Sequence, residues 1–331
     1  MHLIEVTKKF ATKIACLEYL AALRWPNGVC CLKCGITGKD ENGRECISKF
    51  TTNETTRTRF SKRKQKVVTV KVPSRSIYQC RECGYQFSVT TGTVFHDSHL
   101  PLEKWFEAGA MILEAKKGMS ALQVCRHLGI PKENYKSVWY LCHRIREATK
   151  ETGLLAGVVE ADETYLTPKK PRKGKPYVKK ESRDVVLGMI ERGGRLRLVP
   201  VKDSKIEIIE PVLEKHVSPD ATLQTDEHPT YMIIGQRKFA GHRAINHSRT
   251  YAIGDLHTNS IENAFSLLKR GVYGTFHKVS IKHLGRYCNE FSYRFNRRES
   301  QAQMFEETVK GLLRGKPLPY KVLTASEKAE S

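Results

Sequence analysis

Two aspartates stand where apolar runs end. Gly157-Val158-Val159-Glu160-Ala161-Asp162 closes on one carboxylate, and Ala221-Thr222-Leu223-Gln224-Thr225-Asp226 closes on another. A carboxylate just past a buried strand is costly to desolvate unless something positive sits against it. Thirty-five residues then intervene before Glu262, which stands in a helix-like run. The chain carries 57 Lys+Arg against 35 Asp+Glu, a formal charge of +22. Three converging carboxylates in so basic a chain point to hard oxygen ligands for a divalent cation and to a polyanionic partner. The simplest such partner is DNA or RNA.

The pattern around these acids sets the fold of the carboxyl-terminal half. Three β-like runs, 157–166, Val185–Glu191 and Leu196–Val201, are followed by a helical stretch over 206–217. Gly193-Gly194 reads as the hairpin turn between the second and third runs. A fourth strand leads into Asp226, and 243–247 supplies a fifth. Helices follow at 259–270, 282–298 and 301–313. Three antiparallel strands, a helix, a parallel strand and further helices is the element order of an RNase H-like fold. In that layout the first and fourth strands are neighbours, so Asp162 and Asp226 meet. At about 100° per residue, positions 259, 262 and 269 span roughly 60–80° of arc. Asn259, Glu262 and Lys269 therefore share one helix face, while Ile261, Phe265 and Leu268 form a separate apolar stripe.

The amino-terminal third carries two Cys-x-x-Cys-Gly knuckles, Cys31-Leu32-Lys33-Cys34-Gly35 and Cys80-Arg81-Glu82-Cys83-Gly84. Each sets two thiols on a tight turn, where Gly allows the positive φ. Together Cys31, Cys34, Cys80 and Cys83 complete a four-sulfur site for structural Zn²⁺. Cys30 adjoins Cys31 and could take its place, although Cys31 has the two-residue gap to Cys34. Forty-five residues separate the knuckles. That is an insertion relative to a compact ribbon, and it holds Arg57, Arg59, Lys62, Arg63, Lys64, Lys66, Lys71 and Arg75. Residues 67–72 read as a strand within it. Cys16, Cys46, Cys125, Cys142 and Cys288 read as free thiols, since the chain begins without a signal-peptide core.

Between the two halves the spacing predicts helices over 101–117, from Ser120 onward, and over 135–148. Gly129-Ile130-Pro131 is a turn. This is the form of a helix-turn-helix, whose second helix can enter a major groove. Its outward face would carry Lys132, Lys136, His143, Arg144 and Arg146, with Lys136 and Arg144 as the readers of DNA. A Pro/Gly-containing stretch after the first strand of the acidic half holds Lys169, Lys170, Arg172, Lys173, Lys175, Lys179, Lys180 and Arg183. Of these, Lys169, Lys170, Lys173 and Lys175 are expected to track phosphates without sequence preference. No apolar run approaches the length of a membrane span.

At these residues the chain resembles a known family: the bacterial insertion-sequence transposases that join an amino-terminal zinc ribbon to an RNase H-like DDE core. The matching phrases are Arg24-Trp25-Pro26-Asn27-Gly28, the two knuckles, and Phe87 through Phe95. Further matches are Lys117-Gly118-Met119-Ser120-Ala121, Glu160-Ala161-Asp162-Glu163-Thr164-Tyr165 and Thr225-Asp226-Glu227. The run from His257 through Lys269-Arg270-Gly271 to His277 and the segment from Tyr287 to Arg298 complete them. The likeness spans residues 8–315.

The resemblance implies a division of the chain into an amino-terminal helix and ribbon with insertion (1–98), a helix-turn-helix region (99–152), an RNase H-like core (153–315) and a tail (316–331). The expected class is thus α+β and α/β multidomain, with a mixed-sheet catalytic core and carboxyl-terminal helices. Asp162 and Asp226 match the first two catalytic acids. The third varies between Glu and Asn in the family, and this chain has both. Glu262 is favoured, because it has the 35-residue gap and Lys269 follows seven residues later, and Asn259 is then either a group that supports the ligands or an auxiliary ligand. The family's chemistry is cleavage and strand transfer on double-stranded DNA with two Mg²⁺ or Mn²⁺, held by Asp162, Asp226 and Glu262. Lys269 and Arg270 would hold phosphate near the reacting end, and His247 and His257 would orient water or phosphate. The ribbon and helix-turn-helix would read terminal inverted repeats, the chain working as a homo-oligomer on DNA. Its place would be the bacterial cytoplasm on the nucleoid, or the nucleus for a eukaryotic copy. The competing readings are a structure-selective nuclease of the same fold and a domesticated DNA-binding protein without turnover.

Overall fold

The computed structural model describes residues 1–40, 42–61, 65–72, 74–166, 185–245 and 258–325. In chain order the helices are α1 (Leu3–Lys9), α2 (Lys13–Arg24), α3 (Leu102–Glu114), α4 (Ala121–His127), α5 (Tyr135–Glu147), α6 (Ile206–His216), α7 (Pro229–Lys238), α8 (Asn259–Gly271), α9 (Ile281–Asn296), α10 (Gln301–Arg314) and α11 (Tyr320–Thr324). The strands are β1 (Ile47–Thr52), β2 (Thr55–Ser61), β3 (Lys66–Val72), β4 (Arg75–Cys80), β5 (Gln86–Phe87), β6 (Val158–Tyr165), β7 (Val185–Glu191), β8 (Leu196–Val201), β9 (Thr222–Asp226) and β10 (Gly241–Ile245). Residues 10–103 and 312–317 form a smaller compact unit, and the rest of the described chain forms a larger one.

The larger unit is built on a five-stranded mixed sheet in the order β10-β9-β6-β7-β8. β6, β7 and β8 run antiparallel in succession, whereas β9 lies parallel to both β6 and β10. The first and fourth strands are therefore neighbours, as the element order predicts. Alternation along each strand gives the sheet two apolar faces. Val159, Ala161, Leu187, Met189 and Leu223 pack against Ile209 and Leu213 of α6 and Tyr231 and Ile234 of α7. On the other face Val186, Ile190, Leu196 and Leu198 meet Ile261, Phe265 and Leu268 of α8 and Leu284, Cys288 and Phe291 of α9. Helix α7 is absent from the sequence reading. Its start is set by Pro229 at the first turn and by His228, whose Nδ1 accepts from the Thr230 N–H at 3.4 Å.

Helices α3, α4 and α5 occupy the predicted stretches. Ser120 caps α4, its hydroxyl accepting from the Gln123 N–H at 3.2 Å. Gly129 turns the chain at φ 64°. Of the basic face expected of α5, only Lys132, three residues before the helix, and Lys136, in its first turn, are exposed. Arg144 does not face outward. It is 3% exposed, with its guanidinium 4.7 Å over the Trp105 ring and 5.1 Å over Tyr140. His143 and Arg146 are buried beside it. Arg146 donates to Glu290 at 2.6 Å, and Arg294 stands 3.2 Å from the other oxygen of the same carboxylate. The second half of α5 is thus an interior helix held by cation–π and ionic partners, which removes Arg144 as a DNA reader.

In the smaller unit Thr12 caps α2, accepting from Ala15 N–H at 3.3 Å. β1, β4 and β5 form a three-stranded sheet. Its core is aromatic: Trp25 meets Tyr78 edge-on at 5.2 Å and Phe87 at 5.9 Å. β2 and β3 pair only with each other among the described strands. No helix among the described residues is long and apolar enough to cross a membrane.

Candidate active site

The knuckles converge as their spacing predicts. The Sγ atoms of Cys31, Cys34, Cys80 and Cys83 all lie within 4.8 Å of one another. Cys31 to Cys83 and Cys34 to Cys80 are each 3.6 Å. A tetrahedral four-sulfur zinc site with Zn–S near 2.3 Å has sulfur–sulfur edges of roughly 3.8 Å. The cluster is therefore compatible with zinc. Gly35 and Gly84 turn the knuckles at φ 78° and 67°. Burial alone would raise the Cys31 thiol. The N–H groups of Cys34 and Lys33, at 3.5 and 3.4 Å from its sulfur, and the neighbouring thiols outweigh this and bring it down to about 6. Cys30, the alternative, is not in the cluster.

The acidic centre sits beside the pairing of β6 with β9, with Asp226 at the end of β9 and Asp162 inside β6, three residues before its end rather than at it as the apolar run suggested. The parallel register of the two strands pairs Glu160 with Gln224, two residues before Asp162 and Asp226. Asp162 accepts from the Glu163 N–H at 2.7 Å, and Asp226 from the His228 N–H at 3.1 Å. Asp162 is pushed up to about 7 by burial, then by the charges of Glu163, Asp226 and Glu262. The charges of Asp226 and Glu262, the other two expected acids, thus act on Asp162 along with that of Glu163. They offer hard oxygen donors, and the charge they crowd together is what a divalent cation relieves. Their oxygens do not close on one point, however. Among the described residues the four thiols are the only group of three or more potential ligands within 4.8 Å of one another.

Glu160 was not singled out by sequence, yet it fixes the site. It is fully buried on the face of β6 that also carries Asp162. Its carboxylate accepts from the Ser260 N–H at 3.0 Å, the Ile261 N–H at 3.1 Å and the Ser260 hydroxyl at 2.9 Å. Helix α8 has no side-chain cap of its own from Thr258. Glu160 supplies the acceptor for two of its orphan N–H groups and a negative charge at its positive end. Arg192 flanks it, donating to Gln224 at 2.8 Å and lying 3.4 Å from Glu160. One strand therefore carries both Asp162 and the anchor of the helix that bears Glu262.

Gly188 is the second residue the sequence concealed. It stands opposite Asp162 in the β6–β7 register. A methyl group there would come within 2.6 Å of both Ile261 and Phe265. Glycine is needed to let α8 lie close on the sheet beside the acid. On the opposite face Glu163 accepts from the Tyr231 hydroxyl at 2.5 Å, tying β6 to α7.

On α8 itself, Asn259 and Glu262 are exposed, Lys269 is half-buried and Arg270 is exposed. Arg270 donates to the Ser266 carbonyl and hydroxyl one turn back. The Thr258 hydroxyl donates to Glu262 at 3.4 Å. Lys169, Lys170, Lys173 and Lys175, with the rest of their basic stretch, lie outside the described residues, as do His247 and His257.

Comparisons with known proteins bear directly on this arrangement. Residues 154–296, which hold all three acids, match the model of the ISXO2-like transposase domain. An uncharacterized protein in transposable element ISH50 of Halobacterium salinarum is 24% identical over 323 residues, covering 92% of this chain and 97% of that protein. An uncharacterized transposase-like protein of Haemophilus influenzae is 31% identical over 105 residues, covering 31% of this chain and 84% of that protein. The chain belongs to the insertion-sequence transposases. In this transposase the family match spans β6 through α9. It therefore contains the strand pair, the capping Glu160 and the whole of α8.

The thiol cluster makes its own prediction. One zinc per purified chain is expected by elemental analysis. Cys80→Ser with Cys83→Ser should lose it, and with it the cooperative melting of the smaller unit, because metal ligation supplies folding free energy in sites of this kind. Retention of the metal by that double variant would reduce the cluster to four ordinary thiols.

Proposed function

We propose that this transposase binds the terminal inverted repeats of its element, cleaves DNA at the ends and joins the freed 3′-hydroxyl to target DNA. What supports this reading is the placement of Asp162 on β6 and Asp226 at the end of the neighbouring parallel β9, with helix α8, which bears Glu262, anchored on β6 by Glu160. Asp162, Asp226 and Glu262 would hold Mg²⁺ or Mn²⁺, whose chemistry is to activate the attacking oxygen and stabilise the leaving one. The protein's own groups position and neutralise. Glu160 and Gly188 fix α8 over the sheet, so that Glu262 is presented to the two aspartates. Lys269, two turns along the same helix face, holds a backbone phosphate. Asn259 stands beside Glu262 as an auxiliary oxygen donor. Lys136, exposed at the start of α5, contacts DNA from the helix-turn-helix, and zinc at the four thiols shapes the ribbon.

The test is a strand-transfer assay with linear duplexes bearing the element's own ends, a supercoiled target and Mg²⁺. Joined products are expected. Cleavage without joining would make the chain a structure-selective nuclease, and neither reaction would make it a DNA-binding protein alone.

A pH dependence follows from Asp162. Its carboxyl is raised to about 7, so below that pH a metal ion must displace its proton. Magnesium affinity is expected to rise about tenfold per pH unit up to that point and to level off above it, with one proton released per binding event at low pH. Calorimetric titrations in two buffers of different ionisation heat measure both. An affinity flat from pH 5 to pH 8, with no proton release, would separate Asp162 from the metal.

A further inference from the structure

β2 and β3 form a ribbon that no other described strand joins. They pair in register from Thr55 with Val72 to Ser61 with Lys66. Along the chain the ribbon follows directly on β1 and β4, which pair from Ile47 with Cys80 to Thr52 with Arg75. The result is a two-stranded arm rooted at the thiol cluster through Cys80. Its outer part is seven residues long on each strand. At about 3.3 Å per residue this is an arm of roughly 23 Å. An isolated two-stranded ribbon is marginally stable in water. This one nevertheless exposes apolar side chains, with Phe60 59% and Val67 64% exposed. Those two residues are direct cross-strand partners.

The charge of the arm says what covers it. Residues 55–72 hold seven Lys or Arg and no Asp or Glu. A second copy of the chain would bring like charge against like. Double-stranded DNA brings the opposite charge. Its major groove, about 12 Å wide, admits a two-stranded ribbon.

The faces divide in a way that suits a groove. Thr58 and Thr69 pair across the strands, as do Phe60 and Val67, and both pairs point to the same side. That side offers hydroxyls for base edges and apolar groups for thymine methyls. Arg57, paired with Val70, points to the other side, and Lys66 lies at the far end of the ribbon. Both are exposed and placed for phosphates. We propose that the β2–β3 ribbon is a DNA-reading arm that enters the major groove, with Thr58, Thr69, Phe60 and Val67 toward the bases and Arg57 and Lys66 toward the backbone. This rests on the reading of the chain as a transposase that acts on DNA.

The experiment uses the full chain and two variants, Arg57→Ala with Lys66→Ala, and Thr58→Ala with Phe60→Ala. The probes are a duplex carrying the element's terminal repeat and a scrambled duplex of equal length, in calcium so that no cleavage intervenes. Zinc content and thermal melting confirm that each variant is folded. The charge variant should weaken binding to both duplexes and flatten the plot of log affinity against log salt by about two units, close to one for each phosphate no longer neutralised. The Thr58/Phe60 variant should bind scrambled DNA as the wild type does and lose its preference for the repeat. It should also lose one patch of guanine N7 methylation interference, which reports on the major groove.

Wild-type affinity, slope and footprint in both variants would overturn the proposal. So would interference at adenine N3, which lies in the minor groove, in place of guanine N7. A loss of self-association by light scattering with DNA binding unchanged would hand the ribbon to a second copy. If the wild type shows the ribbon-dependent footprint but joins no ends with Mg²⁺, the arm stands and the strand-transfer reading falls. If the wild type joins ends and the variants bind as it does, the reverse holds.

Discussion

Asp162→Asn is expected to slow DNA cleavage by at least about a thousandfold, on the scale seen when one group that stabilises charge in the transition state is removed. Asp226→Asn should do the same. The substitution keeps the shape of the side chain and its bond to the Glu163 N–H, so binding to repeat DNA should survive. A second readout separates a catalytic role from a structural one. Burial and the neighbouring acids raise Asp162 from 3.8 to about 7, so in the metal-free fold its ionised form is disfavoured. A group raised in this way costs stability progressively as pH rises from its unfolded value to its folded one. Without magnesium, Asp162→Asn should therefore melt higher than the wild type at pH 8, and the gain should vanish near pH 4. Cleavage at the wild-type rate by either variant would dissolve the active-site assignment. A lower melting point for metal-free Asp162→Asn at pH 8 would make Asp162 a structural residue.

Glu290→Ala is expected to produce the largest loss of stability among single substitutions of ionic residues in the larger unit. Glu290 is 1% exposed, and it faces two buried cations, Arg146 at 2.6 Å and Arg294 at 3.2 Å. Removing one partner of a buried ion pair leaves uncompensated charge and costs about 3–5 kcal/mol. For a unit of this size that is roughly 10 °C in melting temperature. Replacing the group together, with Arg146→Met, Glu290→Leu and Arg294→Met, should restore most of the loss, because no buried charge then remains. A melting point within about 2 °C of wild type for Glu290→Ala would show that water reaches the two arginines.

Local patterns carried much of this architecture. The two knuckles are legible because four thiols at fixed short spacings leave few alternatives. The order of β6 to β9 is legible because β-branched apolar runs, the Gly193-Gly194 turn and the closing Asp226 mark the strands, and the stripe Ile261, Phe265, Leu268 is visible at helical spacing. Distant partners hid the rest. Arg144 and Arg146 read as a solvated face, as basic residues on a helix usually do. Their burial depends on Trp105 in an earlier helix and on Glu290 in a later one. Glu160 looks like the polar step of an alternating strand until α8, 100 residues on, places two N–H groups against it. β2 could not be paired with β3 from sequence, since Thr-Thr-Arg-Thr-Arg carries no apolar alternation to fix a register.

The capping role of Glu160 also changes what the interval between the second and third acids means. The position of Glu262 is not measured out along the chain from Asp226. It is pinned from below by a carboxylate two residues before Asp162, so the stretch that joins β10 to α8 can lengthen or shorten without carrying Glu262 away from the aspartates. In this transposase the spacing between the second and third candidate acids is therefore set by the contact between Glu160 and the start of α8, and not by the length of that connection.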